Sequence, residues 1–127
     1  MSLFNQLTAQ GSVLRAAMVG TAKRNEVIAN NIANADVPGF RARQVHFEDS
    51  LLEAIGNYPH PRHRNIDTSG VRPTVHFQDP GFHYRIDGNN VDIEVEMVRL
   101  YQNSMRFETF VSSMQANSQR MSTVLQQ

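Results

Sequence analysis

The residues with the most chemical capacity sit in Tyr58-Pro-His-Pro-Arg-His-Arg64, where His60 and His63 lie three positions apart beside Arg62 and Arg64. Two imidazoles a helical turn apart can share one metal ion. Pro59 and Pro61 deny the segment that turn, and no acidic residue or further histidine stands at a ligand spacing to complete a coordination set. The arginines could touch phosphate, but so few cations in neutral sequence carry little nucleic-acid affinity alone. The expectation is a solvated loop with no metal and no cofactor. His46, His76 and His83 fall on alternating or amphipathic segments and are expected to face solvent or a neighbour. No nucleophile elbow, phosphate loop or paired-carboxylate motif accompanies them. Asp92, Glu94 and Glu96 have acid/base capacity, yet carboxylates in the first turns of a helix are sufficiently explained by its dipole. No catalytic residues are assigned, and the chain is read as a non-enzyme.

The elements that would position these residues begin from a chain of 127 residues, room for one structural unit. Twelve basic residues balance twelve acidic ones, which disfavours a strongly basic nucleic-acid binder. The balance is uneven, with residues 1–43 carrying five basic residues against two acidic ones. Cysteine is absent, which removes disulfides, thiolate chemistry and the common zinc frameworks. The opening Met1-Ser-Leu-Phe-Asn-Gln-Leu7 has no basic leader and no apolar stretch of signal-peptide length, so a cleaved export signal is not expected. No membrane span is expected either.

Leu7, Gly11, Leu14, Met18, Thr21, Asn25, Ile28, Ile32 and Ala35 step by three and four, with Leu3 one turn earlier, and predict a long helix ending near Ala35. Gly11, Thr21 and Asn25 weaken that seam, so the lone helix is expected to be marginal. Pro38-Gly39 then suits a tight turn. A second helix is expected from about residue 91, capped by Asn89 or Asn90, along Met97, Leu100, Ser104, Phe107, Val111, Met114, Ser118, Met121 and Leu125. Between them, Phe47, Leu51, Leu52 and Ile55 suggest a short helix closed by Gly56, followed by a loop over 57–70. Val71, Val75 and Phe77, then Phe82, Tyr84 and Ile86, alternate on either side of Gln78-Asp79-Pro80-Gly81 and predict a β-hairpin.

The fold expected is mainly α: long N- and C-terminal helices forming a coiled-coil-like bundle, with a short helix, loop and hairpin between them. Residues 1–43, 44–90 and 91–127 are read as parts of one unit. The predicted interface sets Leu7, Leu14, Met18, Ile28 and Ile32 against Met97, Leu100, Phe107, Val111 and Met114, within a subunit or between subunits. Helices longer than a compact domain of this size requires point to a bundle or a polymer.

Ala29-Asn-Asn-Ile-Ala-Asn-Ala-Asp-Val-Pro-Gly-Phe40 reads physically as a helix exit, with asparagines satisfying backbone groups and Phe40 anchoring the turn. As a string it closely resembles the Ala-Asn-Asn-Ile-Ala-Asn-x-x-Thr-Pro-Gly-Phe signature of the bacterial flagellar rod and hook proteins. Gly88-Asn-Asn-Val-Asp-Ile-Glu-Val-Glu-Met-Val98 resembles the start of the C-terminal helix of a proximal-rod member. Asn30, Asn31, Ile32, Asn34, Pro38, Gly39, Phe40, Asn90, Val91 and Asp92 carry the two motifs. Val37 stands where the family usually has threonine, and Phe107 where tyrosine is common.

The resemblance implies a structural subunit of the basal-body proximal rod, exported through the flagellar type III apparatus without signal cleavage. It further implies partners: copies of itself, the rod proteins FlgC, FlgF and FlgG, and the adaptor FliE at the ring-proximal end. FlgC shares the N-terminal signature and is the alternative within the family. Across classes, the rival is a small nucleic-acid-binding or regulatory module using Arg62 to Arg64.

Overall fold

Two long helices and a small sheet are present in the computed structural model, which describes residues 3–56, 66–79 and 85–126. The His60 to Arg64 cluster and residues Phe82, His83 and Tyr84 lie outside the described residues. The elements are α1 Leu3–Ala33, β1 Arg43–His46, α2 Glu48–Gly56, β2 Thr74–Phe77 and α3 Ile93–Leu125.

Helix α1 runs 31 residues, about 46 Å at the usual rise, and α3 runs 33. They pack antiparallel, because residues late in α3 meet residues early in α1: Asn117 reaches Leu7, Asn103 reaches Thr21 and Glu96 reaches Asn31. Leu7, Ala9, Ala17, Val27 and Ile28 of α1 are buried, yet α3 buries fully only Glu96, Asn103 and Asn117.

Helix α3 starts two residues later than its periodicity suggested. Its N-cap is Asp92, with extended backbone and a carboxylate oxygen accepting from Val95 N at 3.2 Å. Neither Asn89 nor Asn90 caps it, since both amides are drawn to the chain leaving α1. Glu94 and Glu96 occupy its first turn, where the dipole favours negative charge.

The strand expected at Val75 and Phe77 is present, but its described partner is β1. The pair is antiparallel with Val45 opposite Val75 and Arg43 opposite Phe77, and Gln78 N continues the ladder to Ala42 O at 2.8 Å. Strand β1 was not anticipated; its four residues are too short for period to reveal. The far arm of the expected hairpin falls mostly outside the described residues, and Ile86 lies in an exposed turn.

Two small apolar clusters brace the helix pair. Val27, Val45 and Phe47 form one, with Leu51 of α2 against it. Gly20 makes room for the Phe47 ring, because a β-carbon there would meet its carbons at 2.5 Å. Ala35, Ala42 and Val91, with Phe40 against them, form the other at the exit of α1.

Candidate functional site

The second cluster marks where the two family-like segments meet. Beyond Ala33 the backbone closes successive tight turns, Ala35 N to Ile32 O at 3.2 Å and Val37 N to Asn34 O at 3.1 Å. Carbonyls at a helix end lose their intrahelical partners. Asn89 supplies them: its Nδ2 donates to Asn34 O at 3.0 Å and to Ala35 O and Val37 O at 2.9 Å each, and its Oδ1 accepts from Val91 N at 2.8 Å. Arg85 adds a guanidinium bond to Ala35 O at 3.0 Å.

Backbone bonds close the same knot from the other side. Gly39 N donates to Asp87 O at 2.8 Å, and Asn90 Oδ1 accepts from Ala42 N at 2.6 Å. Gly39 and Gly88 hold φ of 73° and 78°, a region L side chains rarely adopt, and a β-carbon on Gly88 would lie 3.5 Å from Gly39 Cα. The left-handed backbone of each turn, and not close approach, is what calls for glycine, since a β-carbon on Gly39 would meet nothing within 4 Å.

One turn back along α1, Asn31 is fully buried. Its Oδ1 accepts from Arg43 N at 3.0 Å and its Nδ2 donates to Arg43 O at 2.7 Å, so the amide pairs with the start of β1 much as a neighbouring strand would. Nδ2 also donates to Glu96 Oε2 at 3.0 Å. Glu96 is 2% exposed, and its Oε1 accepts from Arg99 at 2.6 Å and from Gln78 Nε2 at 3.1 Å. Burying a charge is costly unless it is paired and hydrogen-bonded, and Glu96 is both.

Further along the helix pair the polar contacts recur with a 14-residue period on both helices. Asn103 Nδ2 donates to Thr21 O and to Asn25 Oδ1, both at 2.7 Å, and Asn117 Nδ2 donates to Leu7 O at 2.8 Å. A slip of one helix along the other would break all of these bonds together, so the amides specify register. The Oδ1 atoms of Asn103 and Asn117 are buried without a hydrogen-bond partner, the cost of placing amides in the seam.

Arg24 links α1, β1 and α2, donating to Val45 O at 2.9 Å, pairing with Glu48 at 2.6 Å and lying over the Phe47 ring at 4.9 Å. Partial burial pushes the Glu48 carboxyl up, but hydrogen bonds from Arg24 and from the backbone of Glu48 and Phe47 outweigh it, with the Arg24 charge, and hold it below 4.5.

The predicted residues separate into three groups. Asn30 accepts from Arg43 Nη2 at 3.1 Å, Asn34 donates to Asn30 O at 2.7 Å, Val91 is buried and Asp92 is the N-cap. Pro38 is exposed, and Phe40 and Ile32 are half-buried. In the interface set Leu7 and Ile28 are buried, whereas Leu14, Met18, Leu100, Phe107, Val111 and Met114 are half-buried. Met97 is 53% exposed, outside the seam that the described residues form. Asn103 and Asn117 were not among the predicted residues, since a polar residue inside a helical period reads as solvent-facing, while Asn89 was expected only as a cap and Glu96 only as a first-turn carboxylate. The spacing of 7 residues from Glu96 to Asn103 and 14 from Asn103 to Asn117 was the available signal.

Comparison with known proteins joins these observations. The Flagella basal body rod protein family matches residues 13–41, which cover α1 from Val13 onward and its exit. The flagellar basal body rod protein FlgB of Bacillus subtilis (strain 168) is 35% identical over 109 residues, 80% of this chain and 81% of the relative. The FlgB of Proteus mirabilis (strain HI4320) is 32% identical over 122 residues, covering 83% and 85%, and that of Aeromonas hydrophila is 36% identical over 101 residues, covering 72% and 74%. With likeness covering four fifths of the chain and the Asn-rich exit knotted onto the Gly88–Val98 segment, this chain belongs to the flagellar basal-body rod protein FlgB family.

Proposed function

We propose that this chain is a structural subunit of the proximal end of the flagellar rod, where copies of it pack through the α1–α3 pair into the drive shaft. The observation that carries the reading is the knot itself. Two segments some fifty residues apart in sequence, each resembling a rod-family motif, hold the ends of α1 and α3 together as a rigid unit. A rod transmitting torque needs subunits whose long helices cannot slide, and the amide ladder supplies that.

The partners we propose are further copies, the rod proteins FlgC, FlgF and FlgG, the adaptor FliE, and the type III apparatus that exports the chain without cleaving a leader. No helix among the described residues is long and apolar enough to cross a membrane. The FlgC alternative is disfavoured because the relatives covering most of the chain are FlgB proteins. The nucleic-acid alternative rests on Arg62 to Arg64, outside the described residues, and family membership disfavours it.

The test is a count of flagella by electron microscopy in cells lacking the gene, with and without the gene restored, together with detection of the protein in purified basal bodies. Bald cells rescued by restoration, with the chain in the basal body, are expected. Normally flagellated deletion cells would overturn the reading.

A further inference from the structure

Among the described residues, Arg106 on α3 and Asp49 and Glu53 on α2 have no ion-pair partner, and they are of opposite sign. Between α1, β1 and α3 runs a groove of about 350 Å³ lined by four guanidiniums, Arg24, Arg43, Arg99 and Arg106, against the carboxylates Glu48 and Glu96. Arg24 and Arg99 are spent on those carboxylates, and Arg43 is held by Asn30. Arg106 has no ion-pair partner among the described residues.

Beside Arg99 and Arg106 on α3 lies an apolar shoulder. Val95, Val98 and Met105 are all exposed, on the side turned away from α1. An exposed apolar strip beside the unpaired Arg106 is the kind of surface that a partner can cover.

The complementary surface is α2. Leu51 is turned onto the cluster with Val45 and Phe47, which leaves Asp49, Leu52 and Glu53 facing outward. Leu52 is 64% exposed, and Asp49 and Glu53 have no ion-pair partner among the described residues. They stand one turn apart, on one row of the helix. Because Leu51 fixes α2 to its own α1, this outward face cannot turn into its own groove.

We propose that the Arg99–Arg106 flank of α3, with its Val95, Val98 and Met105 shoulder, receives the outward face of α2 from a second copy of this chain. The inference rests on the reading of the chain as a rod subunit. Leu52 sits on the shoulder while Asp49 and Glu53 face Arg106. Donor and acceptor surfaces differ, so the contact is heterologous, the type that propagates into an open helical assembly when its rotation does not close.

Since the chain has no cysteine, pairs can be introduced cleanly. Two differently tagged copies, Leu52→Cys and Val98→Cys, are expressed together in cells lacking the gene, basal bodies are isolated and oxidised, and disulfide-linked dimers are read by tag. A disulfide requires α-carbons within about 7 Å, so the readout is local. A mixed-tag dimer is expected, well above that from Leu52→Cys paired with Val19→Cys on the exposed face of α1. In addition, Arg106→Glu and Glu53→Arg each lower the amount of chain in basal bodies severalfold, and the double variant restores it.

If both chains are present in basal bodies but the mixed dimer does not exceed the control, the docking inference fails and the rod reading stands. A dimer formed as readily by Leu52→Cys alone means a symmetric contact and also overturns it. Absence of the wild-type chain from the basal bodies of flagellated cells overturns the rod reading and this inference with it.

Discussion

Asn31 Nδ2 lies 3.0 Å from Glu96 Oε2 across the helix pair, and the same nitrogen lies 2.7 Å from Arg43 O. One amide therefore ties α1 to α3 and to the start of the sheet. Asn31→Ala strands two backbone groups of Arg43 and removes a donor from a buried carboxylate, at a cost of about 2–4 kcal/mol. Asn31→Asp costs more, because it opposes a second carboxylate to Glu96. Urea unfolding monitored by circular dichroism measures both, and an Asn31→Asp midpoint equal to wild type would refute the contact.

Asn89 gives a local version of the same argument. Asn89→Ala removes donors from the carbonyls of Asn34, Ala35 and Val37 and the acceptor for Val91 N. The expected loss is about 1–3 kcal/mol. Amide exchange locates it: the Val91 N–H exchanges faster relative to wild type, while amides in the middle of α3 change only by the global loss. Unchanged protection at Val91 would mean the knot is held without Asn89.

Glycines in α1 separate propensity from packing. In a helix interior Gly→Ala gains up to about 1 kcal/mol. At Gly11 the new β-carbon would meet Asn117 Nδ2 at 3.4 Å, the tip of a side chain, so Gly11→Ala is expected to be neutral or mildly stabilising. At Gly20 it would lie 2.5 Å from the Phe47 ring, and overpacking of that kind costs about 1–3 kcal/mol. Gly20→Ala therefore lowers thermal stability, and Phe47→Leu in the same chain recovers part of the loss. Additive effects in that double-mutant cycle would contradict the contact.

The Arg24–Glu48 pair predicts an acid limb. The folded carboxyl titrates below its unfolded value of 4.5, so its contribution is present above that value and lost as pH falls through the folded one. The difference in urea midpoint between wild type and Glu48→Gln is thus steady near neutral pH and shrinks on acidification below 4.5. Glu48 is nearly half exposed, so added salt also shrinks it. A difference that grows on acidification would reverse the sign of the assignment.

The long helices and short α2 were legible because their periods of three and four extend over many residues, and Pro38-Gly39 marks an exit. The seam was harder to read. Leu100, Phe107 and Val111 flank it, but its fully buried α3 positions are Glu96, Asn103 and Asn117, whose partners are main-chain or side-chain atoms of α1 that no hydropathy pattern reports. Gly11, Thr21 and Asn25 looked like weak points and are where the amides approach. Strand β1 was hidden because Asn31 and β2, both distant in sequence, supply its hydrogen bonds.

Val111 and Met97 put that distinction to a direct test. Both belong to the apolar stripe of α3, but Val111 is half-buried in the intrachain seam and Met97 lies on the open face. Val111→Asp places an unpaired charge beside α1 and is expected to cost about 2–4 kcal/mol and to abolish incorporation into the rod. Met97→Asp leaves the unfolding midpoint within roughly 0.5 kcal/mol of wild type, as substitutions at exposed sites generally do. Its effect on basal-body content then reports on what covers that face in the assembled basal body. If Met97→Asp unfolds the chain as readily as Val111→Asp, the α3 face assignment is wrong; if it folds normally and is excluded from basal bodies, the open face of α3 is an assembly surface.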